Sequence, residues 1–138
     1  MPIATSAAEQ WLIEADDDPD HARLWLRQAN ILFLQVGRKW GAVQTSATAG
    51  QEAVNAGVQG PTVGNEGKYY FLVSTDAVAT WQPIQGATCL GNDHWMTVPH
   101  PVITSPPGPY WVIPPDGSGQ LVDLTALHAA LVEAASAL

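Results

Sequence analysis

The 138-residue chain carries thirteen acidic and five basic side chains, a formal net charge of −8, and one cysteine. That balance argues against a general nucleic-acid binder, whose affinity rests on Lys and Arg displacing counterions from phosphates. A lone Cys89 excludes an intramolecular disulfide and a cysteine-rich zinc site, and no apolar run approaches the roughly 20 residues that span a bilayer. With no basic-then-apolar leader at the N-terminus, the expectation is a cytoplasmic chain outside the membrane. Six Trp, three Tyr and two Phe among many Val, Leu and Ala supply the apolar area for one core over residues 1–138.

Ser6-Ala7-Ala8-Glu9 has capping-box spacing and predicts a helix over about residues 7–15, with Trp11, Leu12 and Ala15 on its apolar face. Asp18-Pro19 reads as an N-cap followed by proline in the first turn. Ala22, Trp25 and Ala29 then recur at helical spacing up to Asn30. Residues 31–36, Ile-Leu-Phe-Leu-Gln-Val, and Ala42 to Thr45 predict two short strands around the turn Arg38-Lys39. A third helix is expected from Ala47 to about Ala56, stopped by Gly57 and weakened by Gly50.

Gly60-Pro61 and Asn65-Glu66-Gly67 are turn signals, and Lys68 to Val73 is the clearest strand. Further strands are expected at Ala87 to Leu90, His94 to Val98 and Tyr110 to Ile113, with a turn at Asn92-Asp93. A last helix starts at Asp123 and aligns Leu124, Leu127, Leu131 and Ala135. The pattern predicts an α+β fold: a mixed or mainly antiparallel sheet with N-terminal helices and a C-terminal helix packed on it.

Asp16, Asp18 and Asp20 match the first ligand spacings of a calcium loop, but His21 stands at the glycine turn and Arg27 at the closing carboxylate, so a helix N-terminus is expected instead. Asp93, His94 and His100 bracket a strand at spacings that would allow a shared metal, with surface or core histidines as the default. His21 and His128 lie on predicted helices without partners for acid–base work. Cys89 reads as an inert strand thiol, and Ser118 as a turn residue rather than a nucleophile. The prolines at 105–109 and 114–117 stiffen turns beside a strand. No cofactor and no metal are expected.

The one cation-plus-aromatic grouping sets Arg38, Lys39 and Lys68 near Trp40, Tyr69 and Tyr70. The ligand-binding candidates are therefore Arg38, Lys39, Trp40, Lys68 and Tyr70, with His94 and Trp95 beside them.

Several segments in order resemble the actinobacterial branch of the bifunctional DNA primase/polymerase N-terminal domain, of the archaeo-eukaryotic primase superfamily. They are Ala29 to Gly37, Trp40-Gly41-Ala42-Val43, Ala47-Thr48-Ala49-Gly50, Tyr69 to Val73, Leu90 to Pro99, and Gly108-Pro109-Tyr110-Trp111. The resemblance implies an α+β fold and, in active members, acids on two strands that hold two metal ions. Here no Asp or Glu occurs from His21 through Gln51, and the later acid position falls near Thr88 or Cys89. The implied function is a non-catalytic accessory or protein-interaction domain, using Trp81, Trp95 or Trp111 toward a protein partner or a second copy. A nucleotide or anionic-ligand domain is the alternative, and an active primase with acids drawn from Asp76, Asp93 or Asp116 the third. The resemblance also implies that Gln44, Thr88 and the neighbourhood of His94 converge on one face.

Overall fold

Side-chain caps set the starts of the two N-terminal helices in the computed structural model, which describes residues 6–91 and 94–136. Ser6 Oγ accepts the Glu9 N–H at 3.1 Å and opens α1 (Ala7–Ile13). Asp18 Oδ1 accepts the His21 N–H at 3.2 Å and opens α2 (Pro19–Ala29), which ends on Asn30 in the left-handed region at φ 61°. α1 stops short of residue 15, although Ala15 is still buried beside Leu12 and Ile13. α2 turns a different face inward from the one its sequence suggests. Ala22 and Leu26 are buried one turn apart, whereas Trp25 is 47% exposed and donates Nε1–H to His21 Nε2 at 2.7 Å.

The strands are β1 (Ile31–Gln35), β2 (Gly41–Ser46), β3 (Thr62–Asn65), β4 (Lys68–Val73), β5 (Ala87–Leu90), β6 (Trp95–Pro99) and β7 (Tyr110–Ile113). They form two antiparallel sheets where one was expected: a five-stranded sheet in the order β5-β2-β4-β3-β7, and a separate ribbon of β1 with β6. β3 lies where the sequence shows turn signals on both sides. Those signals are real, since Glu66 (φ 51°) and Gly67 (φ 79°) make the two-residue turn between Asn65 and Lys68, and β3 is the other arm of that hairpin. His94 lies just before β6, and Pro99 is the last residue of that strand.

Side-chain alternation sorts the five-stranded sheet into two faces. Val43, Tyr69, Phe71 and Val73 face α3 (Ala47–Asn55) and α5 (Leu124–Ser136) and form one core with Ala53, Leu127 and Leu131. Ala42, Val63, Leu72, Leu90 and Trp111 face the other way and pack with Leu32, Leu34, Met96 and Val98 of the ribbon and with Leu12 and Leu26 of the N-terminal helices. The fold is thus α+β, with N-terminal and C-terminal helices on opposite sides of the sheet. A short helix α4 (Ala77–Thr80), absent from the sequence expectation, leads toward β5. The side chain of Ala135, expected on the inner face of α5, falls outside the described residues.

Gly50 is a requirement of this packing rather than a weakness of α3. A Cβ there would lie 2.7 Å from Tyr69 Cβ and 2.5 Å from the Tyr69 ring, so only glycine lets α3 approach β4 this closely. Tyr69 in turn donates its hydroxyl to Gln51 Oε1 at 2.7 Å. No helix among the described residues is long and apolar enough to cross a membrane.

Candidate functional site

Every residue of Ile31-Leu32-Phe33-Leu34 is apolar, yet a two-stranded ribbon laid on a sheet has room to bury only one of its faces. The structure buries Leu32 and Leu34, paired with Val98 and Met96. Phe33 and Trp95 are turned to the opposite face, where they are 62% and 53% exposed. Their rings stack with centroids 5.6 Å apart and planes inclined by 21°. A crevice beside the stack is lined by Asp16, Asp17 and Arg38, and Arg38 forms an ion pair with Asp17 across it. The site therefore joins a solvent-facing aromatic pair to the acidic turn between α1 and α2.

The ribbon is fastened to the sheet at its far end. Pairing of Val36 N–H with His94 O, and of His100 N–H with Asn30 O, fixes the ladder so that Phe33, Gln35, Thr97 and Pro99 direct their backbone groups away from the ribbon's centre. Pro99, with no N–H to offer, suits such a position, and its carbonyl accepts Trp111 Nε1–H from β7 at 2.7 Å in a buried bond. His100 completes the junction. Its Nδ1 accepts the Val102 N–H at 3.2 Å, which leaves Nε2 to donate toward Glu9 Oε1 at 3.3 Å and ties α1 to the ribbon end.

The sequence-predicted ligand candidates are not brought together. Arg38 and Lys39 precede β2, whereas Lys68 pairs opposite Ser46 at that strand's other end, a separation of roughly 20 Å along the sheet. Trp40 is 1% exposed and belongs to the core, where its Nε1–H has no hydrogen-bond partner among the described residues. Tyr70 is half-buried on the face that the ribbon covers, and burial, with a smaller contribution from Glu66, pushes its hydroxyl pKa up. The cation-plus-aromatic grouping is therefore dispersed, and of the ligand-binding candidates Arg38 and Trp95 line one crevice. His94 is exposed and joins the ribbon through its backbone.

Other candidates settle as structural parts. Asp16 Oδ1 accepts the Asp18 N–H, and Asp20 pairs with Arg23, so the three aspartates at calcium spacing cap and charge the start of α2. Asp93 lies outside the described residues, and among those described no three His, Cys, Asp or Glu side chains gather around a common point. Burial raises the Cys89 thiol pKa, which disfavours the nucleophilic thiolate. Asp116 accepts both the hydroxyl and the backbone N–H of Ser118, and these bonds hold its carboxyl below the usual range. Gly108, at φ 77°, lies outside the polyproline region and bends the 105–109 segment.

Gln44 and Thr88 are direct cross-strand partners on the ribbon-facing side of the sheet. His94 belongs to the ribbon and not to the sheet. Of the three tryptophans expected on an interaction surface, only Trp95 is exposed: Trp111 is 1% exposed and Trp81 is half-buried against His128. Phe33 was not among the candidates, because an unbroken apolar run carries no alternation to show which residues face out. The chain matches no family model, no curated protein and no solved structure.

Proposed function

We propose that this chain is a non-catalytic protein-interaction domain of primase/polymerase-like ancestry, and that it works through the outer face of the β1–β6 ribbon. The observation that carries the reading is the stacked pair Phe33 and Trp95, more than half exposed on a strand face without charge. Large aromatics held rigid in solvent cost solubility, and they supply the contact area that dominates protein interfaces. The ancestry rests on the ordered segments that resemble that family and on Gln44 lying opposite Thr88 in the sheet. A cytoplasmic setting suits a chain whose single thiol, Cys89, is half-buried.

Photo-crosslinking tests the surface directly. A photoreactive phenylalanine analogue at position 33 or 95 is expected to trap discrete adducts in the source cells, whereas the same group at the exposed positions Gln59 and Thr125 traps none. Equal labelling at all four positions, or no adduct at 33 and 95, would remove this function.

A further inference from the structure

The ribbon face does not stand alone. The crevice under Phe33 and Trp95 is walled by the turn between α1 and α2, which carries Glu14, Asp16, Asp17 and Asp18 and no basic residue, with Asp20 following in the first turn of α2. Two arginines answer part of this charge, Arg38 at Asp17 and Arg23 at Asp20. The strands themselves contribute none, since β1 and β6 contain no charged side chain. An aromatic face bordered by carboxylates attracts cations twice, through the ring quadrupole and through the charge. One guanidinium is already drawn to these carboxylates, since Arg38 lines the crevice with Trp95 and pairs with Asp17.

Building on the interaction-domain reading, we propose that the partner presents a basic, arginine-bearing segment, with a guanidinium over Trp95 and its charge toward Asp16. The choice rests on charge complementarity. An acidic partner would meet the net charge of −8 as well as the local carboxylates. A second copy of this chain would bring another net charge of −8 against the first.

The test uses the whole chain and a fluorescent arginine–glycine repeat peptide, with a glutamate–glycine peptide as control, read by anisotropy. Saturable binding of the arginine peptide is expected, weakened about fivefold by Trp95→Ala and by Trp95→Leu, which keeps an apolar side chain but removes the aromatic ring. Asp16→Asn is expected to weaken it too, and added salt to weaken it progressively, while the glutamate peptide stays unbound. Far-UV circular dichroism confirms that each variant is folded. Equal binding by wild type and both Trp95 variants would reduce the effect to diffuse charge attraction and overturn the proposal. If the arginine peptide does not bind and sedimentation instead shows a dimer lost in Trp95→Leu, the cationic partner is wrong while the interaction face survives. Failure of the crosslinking at 33 and 95 would remove both.

Discussion

The five-stranded sheet and the two-stranded ribbon are built from similar strands and meet different fates. The sheet is sealed on both faces, by the ribbon with the N-terminal helices on one and by α3 and α5 on the other, so that Tyr69, Phe71, Leu72 and Val73 of β4 are all buried. The ribbon is sealed on one face only, and the next aromatic along each strand is left in water. In the sheet, apolar character is consumed by folding. In the ribbon, the Phe33 and Trp95 rings remain available for a second molecule, and this contrast predicts where substitutions will be felt.

Gly50→Leu is expected to have the largest effect, because the new side chain must enter the space of the Tyr69 ring between α3 and β4. Overpacking of this kind costs about 3 kcal/mol, which outweighs the gain of about 1 kcal/mol in helix propensity. Chemical denaturation would register it as a lower midpoint at unchanged slope. A loss below 1 kcal/mol would mean that the sheet yields more than its packing implies.

The two fully buried tryptophans provide the next comparison. Trp111→Phe strips Pro99 O of its donor and loosens the attachment of ribbon to sheet, at a cost of about 3 kcal/mol from the orphaned acceptor and the vacated volume. Trp40→Phe vacates similar volume but also deletes a buried N–H that has no partner among the described residues, so about 1 kcal/mol is expected. Equal losses in thermal melts would show that the Trp111 bond does not hold the two sheets together.

Alkaline pH should act through the sheet. The Tyr69 pKa is raised above the ordinary 10.0, first by burial and then by Tyr110, so the unfolded chain releases that proton before the folded one does. Its contribution is complete below pH 10 and is lost as pH climbs through the raised folded value, in a window above pH 10. Titrating stability from pH 8 to 11 should show a decline that is shallower in Tyr69→Phe. An identical decline in the variant would assign the alkaline sensitivity elsewhere.

Much of the sheet is legible from local chemistry. Lys-Tyr-Tyr-Phe-Leu-Val in β4 is dense in strand formers, and the strands β5 and β7 lie at their expected bounds. Ser6, Asp18 and Asp123 act as caps, the last by accepting the Ala126 N–H. What is not legible depends on partners far along the chain. Thr62-Val63-Gly64-Asn65 has too little strand character to stand out between two turns, and becomes a strand because β4 and β7 flank it. The exposure of Trp25 and the burial of Trp40 follow from which element lies against each, which spacing does not encode. The candidate site was half visible: Trp95 and Arg38 were named, but their neighbours Phe33 and Asp17 come from packing.

The smallest expected effect is at the ribbon's outer face. Phe33→Ser should change stability by no more than about 0.5 kcal/mol, since the ring is already mostly in water. A loss above 2 kcal/mol would place Phe33 in the fold rather than at a docking surface and erase the contrast between the two sheets.

The pairing of β1 with β6 also bears on how the chain reaches this structure. β1 pairs with β6, and β2, β3, β4 and β5 all lie between the two in the chain. Hairpins such as β3–β4 close within a few residues, whereas the ribbon must close a loop that contains most of the sheet. Contacts this remote in sequence slow folding and form late. Until then Ile31-Leu32-Phe33-Leu34-Gln35-Val36 waits as an uncharged, strand-prone segment without its mate. Between synthesis of β1 and arrival of β6 this segment is open to aggregation, and slow translation there would lengthen the interval.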